Sequence, residues 1–350
     1  MTDGLNKWAT WREIHRQPDI WRSWGATLDV AGLRSWIADQ SFHEIWFCGA
    51  GTSAYIGDIV AASIKGTRSV PTTDIVADPA HVLTGARPLV VNFGRSGNST
   101  ETIGTLDALD ALVPHAPRLN ITCNKKGALA TRRSNAPTQV IVLPDETHDA
   151  GFAMTSSFST MLLTALALFD APYDVADRFS VLADQLESVL PLYASQDCPE
   201  RAVFVGTGPM AYAAREAALK VLELSAGQIP AIWDSTLGFR HGPKSFVTDG
   251  TAISVFASPH EPTCFYEDDL IAELRAQFPH ATVEKIGPGG DIDVQMPFGP
   301  LWAAPLSVAL AQVRGVFWAN NLGLNVDDPF ADRRTLSRVV SGVKLYKVAS

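Results

Sequence analysis

The sequence predicts an α/β protein of two lobes, each a parallel sheet flanked by helices, with an N-terminal helical arm. Three observations carry this. Short apolar runs alternate with helix-like segments, the pattern of parallel sheets covered on both faces. The unit Phe47-Cys48-Gly49-Ala50-Gly51-Thr52-Ser53-Ala54-Tyr55 returns near mid-chain as Phe204-Val205-Gly206-Thr207-Gly208-Pro209-Met210-Ala211-Tyr212, each a strand, a Gly-x-Gly turn and a helix start. The chain has 350 residues, 46% hydrophobic and 19% charged, enough for two ordinary cores and too apolar for extended disorder.

Residues 1–40 form the arm, because Trp8, Trp11, Ile14, Trp21, Trp24 and Leu28 give a helical stripe. So many tryptophans on one face imply burial, against the body or a second subunit. The first lobe spans residues 41–185. Strands are expected at 44–48, 89–93, 118–123 and 139–143, and helices at 55–65, 101–112 and 155–169. The second lobe spans residues 186–350, after a junction punctuated by Pro191 and Pro199. It contains strands near 252–257 and 282–286 and helices near 211–226 and 305–322.

The balance of charge excludes some classes of function. Net charge is −9 and no Lys/Arg block stands out, so no nucleic-acid partner is expected. The longest apolar stretch, residues 161–169, is too short to span a bilayer, and residues 1–10 lack the order of a signal peptide. No membrane association is expected. Cys48, Cys123, Cys198 and Cys264 are widely separated with no CxxC, and the histidines form no HxxxH or HExxH pair. This predicts reduced thiols, a cytoplasmic setting and no metal.

The first Gly-x-Gly turn is weak evidence for a dinucleotide, since Ala54 stands where a third glycine belongs, and no Gly-Lys-Ser/Thr ending marks a nucleotide P-loop. No cofactor is expected. The loop Gly94-Arg95-Ser96-Gly97-Asn98-Ser99-Thr100 says more. It follows a buried strand and opens a helix, so Ser96, Ser99 and Thr100 lie beside unpaired helix N–H groups that favour a phosphate. Ser53 adds a hydroxyl from the neighbouring unit. A simple N-cap needs only one hydroxyl. The second lobe has Met210 in place of Ser53, so phosphate binding is expected in the first lobe alone.

The second lobe offers Glu216, Lys220 and Glu223 on one helix face. By spacing alone, an ion pair on a solvated face is the commoner reading. A carboxylate among apolar neighbours such as Leu219 can instead have a raised pKa and act as acid or base. His241 follows in Leu237-Gly238-Phe239-Arg240-His241-Gly242-Pro243-Lys244. Such a histidine is usually structural or exposed. Between two cations it favours the neutral form that proton transfer near pH 7 requires.

Together these residues resemble the sugar isomerase (SIS) family. The resemblance rests on Gly49 to Ser53, Gly94 to Ser99, Ala153-Met154-Thr155-Ser156-Ser157, Glu216 to Glu223 and Gly238 to Pro243. The tail, Asn325-Val326-Asp327-Asp328-Pro329 through Ser337-Arg338-Val339-Val340, fits the AgaS branch. Its members are tagatose-6-phosphate ketose/aldose isomerases or galactosamine-6-phosphate deaminases. The resemblance implies two SIS lobes and a homodimer with active sites drawn from both subunits.

It also implies residue roles. Ser53, Arg95, Ser96, Ser99 and Thr100 would hold phosphate. Gly51, Thr52, Thr155, Ser156 and Arg338 would make further substrate contacts. Glu223 would shuttle the proton, with Lys220 beside it, and His241 from the partner subunit would open the sugar ring. Two positions depart from the related synthase. Gly238 replaces a glutamate, and Arg338 falls opposite a Schiff-base lysine. Arginine stays protonated and forms no imine, and Lys344 is out of register. The implied reaction is loss of ammonia from galactosamine 6-phosphate, giving tagatose 6-phosphate. Isomerisation without deamination, a glucosamine 6-phosphate substrate and a non-catalytic sugar-phosphate sensor are the alternatives.

Overall fold

The computed structural model describes residues 3–194 and 197–348. Helices α1 (Ala9–Thr27) and α2 (Val30–Ala38) form the arm. The first lobe then runs β1 (Glu44–Cys48), α3 (Thr52–Ala61), β2 (Thr67–Ser69), α4 (Thr72–Ala77), α5 (Pro79–Leu83), β3 (Pro88–Gly94), α6 (Thr100–Leu112), β4 (Arg118–Thr122), α7 (Ala128–Thr131) and β5 (Thr138–Val142). Its five strands are all parallel, in the order β2-β1-β3-β4-β5. Every residue of β3 and β4 is buried, because helices cover both faces. β3 is mostly apolar, as strands covered on both faces are, whereas β4 alternates and pairs its buried polar groups, Asn120 accepting from Asn92 at 2.8 Å and Arg118 meeting Asp110 at 2.7 Å.

Helices α8 (Ser156–Phe169) and α9 (Val175–Val189) lead to the second lobe. There the order is β6 (Arg201–Gly206), α10 (Pro209–Leu224), β7 (Ala231–Ser235), β8 (Thr251–Phe256), α11 (Thr263–Gln277), β9 (Thr282–Ile286) and α12 (Gly299–Asn321). Four parallel strands align as β7-β6-β8-β9, the same winding as the first four strands of lobe one. The repeat read from the sequence is therefore a repeat in space. Gly51 and Gly208 precede α3 and α10 with φ of +56° and +58°, a conformation that glycine adopts without strain.

The arm belongs to the body. Helix α1 packs on α8, α9 and α12, and its tryptophans find hydroxyls there. The Trp21 indole N–H donates to Ser159 at 3.1 Å, and that of Trp24 donates to Thr164 at 2.8 Å. A single core cluster runs from Trp11 and Trp21 through α8 and α10 to α12, so the lobes share one interior. The expected boundary between residues 185 and 186 falls inside α9, which continues to Val189. Helix α12 begins at Gly299, ahead of the expected start, and carries Pro305 within it. Residues 331–348 form no helix or strand and lie along the first lobe, although the sequence grouped them with the second. Among the described residues, no helix is long and apolar enough to cross a membrane.

Candidate active site

In a sheet wound β2-β1-β3-β4-β5 the winding reverses between β1 and β3. Ligands of such sheets bind in the crevice beyond the carboxyl ends of those two strands. The two loops leaving β1 and β3 are those the sequence singled out. They bound a cavity of about 360 Å³, a volume suited to a small metabolite. Gly51, Thr52, Ser53, Arg95, Ser96 and Ser99 line it, with Glu223 and Arg338.

The hydroxyls differ in what they already do. Ser99 caps α6, accepting the Thr102 N–H at 3.3 Å and lying 2.7 Å from the Thr102 hydroxyl. The Ser96 hydroxyl accepts the Asn98 N–H at 3.2 Å. Among the described residues the Ser53 hydroxyl meets only the Met154 sulfur, at 3.9 Å, so it keeps its capacity for a ligand. Thr100 is not part of the lining, and its N–H donates to the Val340 carbonyl at 3.3 Å.

Arg95 lines the cavity but directs its terminal nitrogens at carbonyls. Nη1 donates to Gly151, Phe152 and Ala153, at 3.2–3.4 Å, and Nη2 donates to Arg338 O at 2.9 Å. It ties the cavity wall to the tail. Thr155 and Ser156 are fully buried outside the lining. Their hydroxyls donate to Asp149 at 3.0 and 2.5 Å, and the N–H groups of Thr155, Ser156 and Ser157 donate to the same carboxylate at 2.9–3.1 Å. Asp149 thus closes the N-terminus of α8, where a negative charge is favoured. Asp149→Asn should lower stability by about 1–3 kcal/mol, since bonds to a charge are lost in a buried site. Thermal unfolding of the purified chain measures this.

Helix α10 brings the chemistry from the second lobe. Lys220 is fully buried, its Nζ 3.2 Å from Glu216, 2.5 Å from Glu223 and 2.9 Å from the Thr52 hydroxyl of α3. Thr52 in turn donates to Glu216 at 3.1 Å. The solvated ion pair suggested by spacing alone is therefore a buried triad across the lobe boundary. Burial pulls the Lys220 ammonium down, but Glu216 and Glu223 outweigh it and raise its pKa above the ordinary value. Burial, with the charge of Glu223, pushes Glu216 up to about 7 against the pull of Lys220. Glu223 alone of the three keeps solvent contact, with 24% of its side chain exposed into the cavity.

His241 lies in a short turn, Gly238–His241, beyond β7. It is exposed and not part of the cavity lining of its own chain. Lys344 is off the cavity too, with its ammonium 4.9 Å from the ring of Tyr346. Sequence reasoning missed Glu101, Thr102, Phe152, Met154 and Leu336, which also line the site. Thr102 was within reach, because it follows Ser99 by one turn of the same helix. Glu101 lies in that same first turn, whereas Phe152, Met154 and Leu336 depend on how distant segments pack.

The equivalent crevice of the second lobe is furnished differently. Met210 is buried where the first lobe has Ser53, and the carboxylate of Glu267 accepts the Ser258 N–H at 2.6 Å. Burial pushes Glu267 up to about 7.

Two parallel sheets related by an internal repeat, with one crevice lined by hydroxyls and faced by a carboxylate, define a chain of the sugar isomerase (SIS) fold. No protein-family model matches the sequence. The chain is 39% identical to D-galactosamine-6-phosphate deaminase AgaS of Escherichia coli, over 97% of this chain and 96% of that protein. It is 35% identical to D-galactosamine-6-phosphate deaminase AgaS of Shewanella sp. (strain ANA-3), over 96% and 91%. The solved tagatose-6-phosphate ketose/aldose isomerase from Escherichia coli superposes with a TM-score of 0.86 at 34% identity, covering 98% of this chain and 97% of that one. The chain belongs to the AgaS family.

Proposed function

We propose that the chain is an amino-sugar phosphate deaminase converting D-galactosamine 6-phosphate to D-tagatose 6-phosphate and ammonia. One observation carries this reading: the Glu223 carboxylate opens into the same cavity as the hydroxyls around the starts of α3 and α6. The AgaS relatives bear the name of that reaction.

The phosphate sits in the first crevice, held by Ser53, Ser96 and Ser99 beside the positive end of the α6 dipole. Gripping this remote end fixes C1 and C2 against Glu223. Ring opening moves a proton between O5 and the anomeric oxygen, the task of His241 from the partner subunit in a homodimer. Glu223 removes the C2 proton of the open aldehyde while O1 takes a proton from the substrate's own ammonium group, giving a cis-enolamine, and Glu223 then delivers its proton to C1. Water adds to the resulting C2 iminium and ammonia leaves, so C2 becomes the ketone. No electron is transferred, and no metal or cofactor has a role in this scheme. Lys220 offsets negative charge developing on oxygen. A cytoplasmic location accords with four free thiols.

The assay is ammonia release coupled to a ketose 6-phosphate readout. Equal yields of ammonia and ketose are expected, and ketose formed without ammonia overturns the deaminase reading. That outcome would favour ketose/aldose isomerisation, the activity named for the superposed Escherichia coli structure. The shared site has its own test. Glu223→Gln and His241→Asn chains, each inactive alone, should recover about a quarter of wild-type activity when mixed and re-equilibrated, since half the dimers then hold one intact site. No recovery in verified mixed dimers would place His241 outside the partner's site.

A further inference from the structure

The cavity has an uneven charge balance. Glu101 and Glu223 line it, and among the described residues its lining cations are Arg95 and Arg338. Arg95 is engaged with four carbonyls. Arg338 is exposed, and its guanidinium makes a single bond, to Ala150 O at 3.2 Å. Of the two, Arg338 is the cation with more capacity left for a phosphate dianion, and it is carried by a segment without regular structure.

That segment is fastened at several points. Phe330 packs against Phe152, with ring centroids 5.2 Å apart. The Arg338 carbonyl accepts from Arg95, and the Val340 carbonyl accepts the Thr100 N–H. Farther on, Leu345 sits over Gly104 of α6. A Cβ at Gly104 would lie 2.8 Å from Leu345 Cδ2 and 3.0 Å from Val76 Cγ2, so the missing side chain is the seat. Val348 then packs on the cluster of Trp46, Val70 and Leu109. Thr100 and Gly104 are four residues apart, hence on one face of α6. The strap runs along the helix whose start forms the phosphate loop, and two of its fastenings are on that rigid element.

We propose that Leu345, seated in the Gly104 notch, is a positioning residue that holds Arg338 over the phosphate cradle. This rests on the reading of the first crevice as the phosphate site. When the strap is undocked, apparent affinity falls in proportion to the fraction of chains that keep Arg338 in place.

The test is calorimetric titration of the full chain with inorganic phosphate. Leu345→Asp places a charge in an apolar seat near Asp107, and should weaken phosphate binding about tenfold. Leu345→Met, apolar and of similar volume, should bind within about twofold of wild type. Arg338→Ala should weaken binding about 10–100-fold, the range of a charge-assisted bond. The double variant Leu345→Asp/Arg338→Ala should bind no more weakly than Arg338→Ala, because the notch acts only through that arginine. Wild-type affinity in Leu345→Asp, or additive losses in the double variant, would overturn the positioning role while leaving the cradle intact. Absence of phosphate binding in the wild-type chain would instead overturn the cradle, and the positioning role with it.

Discussion

Glu223→Gln is expected to reduce turnover by roughly 10²–10⁴-fold, the range of a lost general base. The substitution keeps the shape of the side chain and removes its ability to take a proton from C2. Lys220 keeps Glu216 at 3.2 Å and Thr52 at 2.9 Å, so its burial stays compensated. The phosphate end of the site is untouched. The loss should therefore appear in kcat, with KM little changed. Ammonia release by the variant at the wild-type rate would remove Glu223 from the chemistry.

The second large effect is expected at Lys220. Replacing it with Met keeps the length and removes the charge, leaving Glu216, fully buried, without its cation. Breaking a buried pair from one side typically costs about 3–5 kcal/mol. The loss should depend on pH. Glu216 holds its proton up to about 7 in the fold, against an ordinary value of 4.5. The folded chain thus binds more protons between these values, and the contribution of Glu216 to stability falls as pH rises through that window. Without Lys220 only the Thr52 hydrogen bond opposes burial, and the decline continues above 7. Denaturant unfolding at about pH 6 and about pH 8 should show a larger wild-type-to-variant gap at the higher pH. Equal stability of the two chains at the higher pH would contradict a buried, charge-compensated triad.

The parts of the fold legible in the sequence are those with a local signature. Strands β1, β3 and β8 are short, mostly apolar runs between turn signals, β4 and β9 mix apolar with polar residues, and the expected bounds of all five agree with the structure to within a residue. Edge strand β2 is Thr-Arg-Ser, three residues with one exposed, and carries no apolar pattern to detect. Edge strand β7 is only half covered. Helix α11 has buried positions only at Glu267, Leu270, Ile271 and Leu274, so its stripe is thin.

The same division holds at the site. Ser53, Ser96 and Ser99 announce themselves as hydroxyls at helix starts. The use of Thr155 and Ser156 depends on Asp149, whose approach to the start of α8 no spacing rule predicts. Arg95 reads as a phosphate ligand until the carbonyls around it are known. Glu216, Lys220 and Glu223 have surface-pair spacing, and only the packing of α10 on α3 and α12 buries the lysine.

The hydrogen bond from Lys220 to Thr52 has a consequence for how the molecule moves. It joins the two halves at a charged, buried point, and one continuous interior surrounds it. A hinge that parted the halves would break that bond and expose that interior together. Breathing of the halves is thus a poor route for admitting a guest, and the terminal ribbon, whose residues 336–340 line the cavity, is the bordering part that leaves this shared interior in place if it shifts.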